Sequence, residues 1–307
     1  MGSNHIRVLA KADWVDEVIV FDDFQAIKPE SPKVRQLDSL TNLLEMKPSY
    51  AVVSTPTSTH LDVASLCAQY GVPTLIEKPV ASNLEDAKKI EAIFDEANLP
   101  GWIGFVERFN PAAAALRSKL QEGVIGQLLQ VTTKRVGPNP VRIGDVGVVL
   151  DLASHDIDLV HWLTGNSYLE QSSQLLKVFG SKHEFSFLGI AKLDSGVTVS
   201  HEVNWISPRK IRQVTLIGDK GTLVADLLNA ELRLYKNGVA SSEWEMYKQL
   251  RGISEGEMVQ FVVPVREPLA SEHEAVFNDL MSAQNFDLCS IAEGVRNLQV
   301  VERFMHD

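Results

Sequence analysis

The segment Gly147-Val148-Val149-Leu150-Asp151-Leu152-Ala153-Ser154-His155-Asp156-Ile157-Asp158 sets a carboxylate, an imidazole and a further carboxylate at helical spacing. On a helix, Asp151 and His155 stand one turn apart on one face, with Asp158 a further turn along. A carboxylate that orients an imidazole and stabilises its cation suits general-base chemistry. The competing reading is a helix face with an ordinary surface ion pair. Leu150, Leu152, Ile157, Leu159 and Val160 predict that the helix is largely buried. His161 falls off the face of His155, and no second close His or Cys follows, so no metal site is expected.

Glu77-Lys78-Pro79 directly follows the apolar run Thr74-Leu75-Ile76. Ligands of open α/β sheets bind outside the carboxyl ends of strands, which aims Lys78 at a site. Pro79 favours extended backbone at Lys78; a surface lysine in a turn is the alternative. Thr55-Pro56-Thr57 with His60 forms another strand-to-helix turn, where His60 either faces a ligand or bonds backbone at the helix start. In Glu107-Arg108-Phe109-Asn110-Pro111, Arg108 and Asn110 are candidates to line a cleft, although Pro111 alone explains a helix start. The extended loop Gly137-Pro138-Asn139-Pro140-Val141-Arg142 offers Arg142 to a phosphate or carboxylate. No Gly-x-Ser-x-Gly, Walker loop or Cys-x-x-Cys occurs, which leaves serine-hydrolase, P-loop and zinc-ribbon chemistry without support.

The elements that must position these residues change character along the chain. Val18-Ile19-Val20-Phe21, Tyr50-Ala51-Val52-Val53, Thr74-Leu75-Ile76 and Gly101-Trp102-Ile103-Gly104-Phe105 read as strands. The stretch with Pro29 and Pro32 reads as polar loop, and Leu40, Leu43 and Leu44 have helical spacing. Leu61 to Tyr70 is a helix stopped by Gly71. Another helix runs from Ser82, with Glu85 at capping-box spacing, to about Ala97. Alternating strands and helices predict a doubly wound parallel sheet. Farther along, Pro111 to Leu120 is helical, Leu128 to Arg135 is a strand, and Val149 to Leu163 is a helix. Strands dominate from Leu175 to Tyr235, with hairpin turns at Asp194-Ser195-Gly196 and Asp219-Lys220-Gly221, and helix returns from Ser271 to Arg303. The expected division is 1–105, α/β and Rossmann-like, and 106–307, α+β on one large open, mostly antiparallel sheet.

At 307 residues the chain exceeds what one core usually covers. Acidic residues outnumber basic ones 40 to 29, for a net charge of −11, which disfavours nucleic acid and anionic membranes as partners. Two cysteines, Cys67 and Cys289, suit a reducing compartment, and no apolar run reaches membrane-spanning length. A cytoplasmic location is expected.

A dinucleotide-binding domain opens with a strand and a Gly-x-Gly-x-x-Gly turn at a helix N-terminus. Here Met1-Gly2-Ser3-Asn4-His5 leads straight into a helix with Ile6, Val8 and Leu9. Asp22 stands at a strand end, where the acidic residue that binds a ribose 2′-hydroxyl would stand relative to the third glycine. Gly2 is therefore read as that third glycine. On this reading the first strand and the first two glycines are absent, which puts the cofactor competence of this chain in question; a leftover Met-Gly-Ser tag is the alternative.

With Gly2-x-x-His5, Asp22, Thr55-Pro56-Thr57-x-x-His60, Glu77-Lys78-Pro79 and Asp151-x-x-x-His155-x-x-Asp158, the chain resembles the Gfo/Idh/MocA family of nicotinamide-dependent oxidoreductases along nearly its whole length. Val106 to Pro111, and Arg135 to Pro138 through Asp151-Leu152-Ala153, look most like the family's UDP-N-acetylglucosamine 3-dehydrogenases. The resemblance implies NAD, rather than NADP, held by Gly2, Ser3, Asn4, His5, Asp22, Ser54, Thr55, Pro56, His60, Glu77 and Lys78. It implies a sugar or sugar-nucleotide substrate held by Arg108, Asn110, Arg142, Asp151 and His155; the open sheet offers a surface for a homo-oligomer. Lys78, Asp151 and His155 are the implied catalytic set, converging on one secondary hydroxyl. His155 is the expected base and Lys78 the group that stabilises the oxygen, although sequence does not decide which takes the proton. Dehydrogenation of a free sugar, inositol or other polyol is the second expectation. A non-catalytic binding protein is the third.

Overall fold

The computed structural model describes residues 1–27, 31–139, 146–178, 180–238, 255–282 and 287–306. They divide into two compact units, Met1–Val106 with Glu267–Gln299, and Glu107–Arg266 with Val300–Asp307. The first boundary lies one residue beyond the expected one. The return of 267–299 to the first unit was not anticipated, because side chains distant in sequence draw that segment back.

In the first unit, helix α1 (Gly2–Leu9) precedes the parallel pair β1 (Val18–Phe21) and β2 (Val34–Leu37). Helix α2 (Leu40–Glu45) leads to β3 (Ala51–Val53), α3 (His60–Gln69), β4 (Thr74–Glu77), α4 (Leu84–Glu96) and β5 (Gly101–Gly104). Strands β3, β4 and β5 are parallel neighbours. Strand β14 (Cys289–Ser290) adds to β5 in the antiparallel sense, between helices α7 (Pro268–Ser282) and α8 (Ile291–His306). The segment is also tied by the Trp102 indole, which donates to Asp279 at 3.2 Å, and by Trp14 stacked on Phe277.

The parallel strands fall into two sheets, β1-β2 and β14-β5-β4-β3, rather than one. Among the described residues no strand bridges β1 and β3; Leu9, Val18 and Val34 instead share a small core with Val20, Tyr50 and Val52. Strand β2 was missed because Lys33-Val34-Arg35-Gln36-Leu37 reads as polar, and it buries only Val34 fully. The cap of α4 is Asn83, not Ser82: its side chain accepts from the Asp86 amide at 2.9 Å, leaving no role for a Ser82-Glu85 box. Strand β4 is buried along its length, as its unbroken apolar run requires.

The second unit begins with α5 (Pro111–Gln121), capped by Asn110, and β6 (Leu128–Pro138). Helix α6 (Ser154–Thr164) closes on Gly165, whose φ of 68° needs no Cβ. Strands β7 (Tyr168–Leu176), β8 (Ser186–Leu193), β9 (Thr198–Asn204), β10 (Ile206–Gly218), β11 (Gly221–Asp226), β12 (Glu231–Asn237) and β13 (Glu255–Phe261) follow. They form one eight-stranded sheet in the order β13-β12-β11-β10-β6-β9-β8-β7, antiparallel except for β6 beside β9. Its core includes Val131, Phe187, Val203, Leu216 and Leu223 from the sheet and Ile157, Val160 and Phe304 from helices. Both expected hairpin turns are present.

Candidate active site

In the first unit, the buried strand β4 ends at Glu77, and half-buried Lys78 follows, joined to Pro79 by a cis bond. His60, only 1% exposed, faces the Thr55 carbonyl with Nε2 at 3.1 Å and the Pro79 and Val80 carbonyls with Nδ1 at 3.1 and 3.3 Å. Burial holds this imidazole below its ordinary pKa. Held neutral, His60 has one N–H to give, either to the Thr55 carbonyl or to those of Pro79 and Val80; each is a backbone acceptor, as in the backbone-bonded reading of the sequence. Glu77 is buried with its carboxylate on His5, and Gly104 makes room for it: a Cβ there would lie 3.3 Å from Glu77 Cδ.

The residues expected around a dinucleotide separate into two groups. Gly2 opens α1, whose first turn holds no acidic residue and whose N-terminus has no side-chain cap. A Cβ on Gly2 would come within 3.1 Å of Ser54 Oγ, so the helix start and the end of β3 approach closely. Ser3, Asn4, Thr55 and Pro56 are exposed, as is Asp22, whose Oδ1 accepts from the Phe24 and Gln25 amides at 2.9 Å each. A helix N-terminus of this kind could hold a diphosphate, and an exposed carboxylate such as Asp22 a ribose. His5, Glu77 and His60 form the other group, buried and with hydrogen bonds to groups inside the protein.

In the second unit, the helix expected from Val149 begins as a π turn over Val149–Ala153 and becomes α6 at Ser154. Asp151 and His155 straddle that junction, a setting frequent at functional sites. Both are half-buried, whereas Asp156 and Asp158 are 2% exposed. Asp158, one turn beyond His155, is turned to another partner. It accepts a bidentate pair from Arg108, at 2.9 Å from Nε and 2.7 Å from Nη2. Arg108, expected at the substrate, is itself 3% exposed. Asn110 caps α5 and donates to the Leu227 carbonyl at 3.0 Å, also a structural task. Arg142 lies outside the described residues.

Sequence reasoning missed the charges that anchor this helix. Arg135 on β6 donates from Nε to Asp156 at 2.8 Å and from Nη1 to Glu107 at 2.7 Å. Arg212 on β10 donates to the same Glu107 oxygen at 3.1 Å. Burial works against the Glu107 charge, but Arg135 and Arg212 hold its carboxyl below the usual range. No local signal marks these partners, because each sits on a different element.

Among the described residues no cluster of His, Cys, Asp or Glu could hold a metal ion. Residues 1–105 match the family described as "Oxidoreductase family, NAD-binding Rossmann fold", and residues 113–224 match the "GFO/IDH/MocA C-terminal domain". A myo-inositol dehydrogenase of Streptomyces leeuwenhoekii is 36% identical over 124 residues, which are 39% of this chain and 38% of that protein. The UDP-N-acetylglucosamine 3-dehydrogenase of Acidithiobacillus ferrooxidans is 28% identical over 209 residues, 68% of this chain and 65% of that protein. The chain thus spans less than two thirds of the length of either relative. A crystal structure of the Acidithiobacillus enzyme shares the fold, with a TM-score of 0.82 at 23% identity over 99% of this chain and 92% of that one. With both family domains matched in order, on a Rossmann-like sheet and a large antiparallel sheet, the chain belongs to the Gfo/Idh/MocA family of oxidoreductases.

Proposed function

We propose that the protein is an NAD-dependent dehydrogenase of a secondary hydroxyl on a sugar, with the 3-hydroxyl of a UDP-N-acetyl amino sugar as substrate. The carrying observation is Lys78, half-buried at the carboxyl end of β4 and followed by a loop against which His60 packs. Support for the sugar nucleotide comes from the relative matched over 68% of this chain. The higher identity of the myo-inositol dehydrogenase, over a shorter stretch, favours a free polyol as the second reading.

NAD, when bound, accepts the hydride. Gly2, Ser3, Asn4, Ser54, Thr55 and Pro56 would hold its diphosphate, and Asp22 its ribose, where a carboxylate repels a 2′-phosphate and favours NAD over NADP. Loss of hydride from a carbinol is favourable only as its proton departs. Asp151 orients His155, His155 takes the proton, and the Lys78 ammonium donates to the oxygen and stabilises its developing charge. Arg108 and Asn110 support the site from within, through Asp158 and the start of α5.

The reading extends to a cytoplasmic homo-oligomer that uses the open face of the large sheet, where Leu188 and Ile190 are exposed at 54% and 63%. No described helix is long and apolar enough to cross a membrane.

The test is a screen of UDP-sugars, free sugars and inositols with NAD and NADP. Turnover of a UDP-N-acetyl amino sugar that vanishes without the UDP group is expected. Turnover indifferent to UDP would favour the polyol reading, and no turnover together with no NAD binding would favour a non-catalytic binding protein.

A further inference from the structure

Four side chains of the first unit form a single line of hydrogen bonds. Glu77 Oε1 lies 2.8 Å from His5 Nε2, His5 Nδ1 lies 2.9 Å from His273 Nε2, and His273 Nδ1 lies 3.0 Å from the Tyr50 hydroxyl. The line gathers β4, α1, α7 and the residue that precedes β3. Its members are buried except for Tyr50, which is half-buried.

The donor inventory orders the protons. A carboxylate oxygen accepts, so His5 Nε2 donates to Glu77 Oε1. Burial drives His273 down to about 3 and raises Tyr50 well above its usual range, so His273 carries one ring proton and Tyr50 keeps its own. Three protons then serve three links: Tyr50 donates to His273 Nδ1, His273 Nε2–H to His5 Nδ1, and His5 Nε2–H to Glu77. Every bond points toward the carboxylate, an arrangement in which each strengthens the next.

We propose that His273 and Tyr50 are positioning residues that, through His5, hold the Glu77 carboxylate fixed at the end of β4, directly before Lys78. Lys78 is thereby pinned on both sides. This line of bonds fixes its preceding residue, and the buried His60 ring packs against the Pro79 and Val80 carbonyls that follow, at 3.1 and 3.3 Å. The catalytic consequence rests on the dehydrogenase reading above; the proton order does not.

Two measurements test the proposal on the full chain. With ¹⁵N-labelled histidine, NMR at neutral pH should show His5 and His273 each protonated on Nε2 alone, with His273 assigned by its loss in His273→Leu. A His5 ring protonated on Nδ1, or on both nitrogens, overturns it. In turnover, His273→Leu should lower kcat roughly 10- to 100-fold, with KM values within about threefold. His273→Gln should recover most of that loss, because its amide can donate toward His5 and accept from Tyr50. Equal losses in the Leu and Gln variants, or an unchanged kcat in both His273→Leu and Tyr50→Phe, overturn the positioning role. Should His273→Leu not fold, Tyr50→Phe and His273→Gln carry the kinetic comparison. The predicted tautomers in a protein that oxidises no sugar would refute the dehydrogenase reading and leave the proton order standing.

Discussion

Arg135 and Arg212 stand directly opposite each other on neighbouring strands, and both donate to one oxygen of Glu107, at 2.7 and 3.1 Å. Two facing cations would repel; the shared carboxylate between them turns the repulsion into a clamp. Asp156, held by the other edge of Arg135, ties the clamp to the helix that follows Asp151 and includes His155.

Replacing Arg135 with Met should strip Glu107 and Asp156 of their main buried partner. Breaking a buried pair from one side costs about 3–5 kcal/mol. Urea unfolding should show a loss of that size, and adding Asp156→Leu should recover part of it. A loss below about 1 kcal/mol would show that the network does not anchor the helix.

Lys78→Met should abolish turnover while NAD binding, read by calorimetry, stays near the wild-type value. His155→Asn should lower kcat by roughly 10²- to 10⁴-fold, the span expected for a lost general base. Turnover retained in either variant would remove that residue from the catalytic set.

Asp22→Ser should weaken NAD and narrow its preference over NADP, since the carboxylate that repels a 2′-phosphate is gone. The ratio of kcat/KM for the two cofactors should shift toward NADP by about tenfold or more, on the order of 1.4 kcal/mol. An unchanged ratio would place the ribose elsewhere.

Stability should fall with pH below neutrality. His201, bonded to Thr133 and Tyr168, and His273 are both held down to about 3 by burial. An unfolded chain protonates them near ~6.5. Their contribution is therefore fully present above that value. It declines as the pH drops toward 3, by up to about 1.4 kcal/mol per pH unit for each ring, because only the unfolded chain takes up the protons. Thermal unfolding from pH 7 to 5 should show a falling Tm, and His201→Phe should flatten the slope even if it lowers Tm throughout. A flat wild-type profile would contradict the burial of these rings in their neutral form.

The strand β4, the stop of α3 at Gly71, the start of α5 at Pro111 and both hairpin turns were legible because each depends on neighbours a few residues away. The Gfo/Idh/MocA membership was legible for a related reason: the short motifs that carry Lys78, Asp151 and His155 each lie within a few neighbouring residues. Strand β2 was not, since a half-exposed strand needs only one apolar side, and Val34 alone supplies it. The π turn before Ser154 was likewise hidden, because apolar spacing does not distinguish it from the start of an α-helix.

Local chemistry in the chain thus determined most of the order of elements, the hairpin turns, and which residue types stand at the strand ends. Which charges and imidazoles are buried was decided only by tertiary structure. Arg108 meets Asp158 across 50 positions, and His5 meets His273 across 268. Burying such groups is favourable only when a partner arrives from another element, and that partner is invisible until the chain has folded.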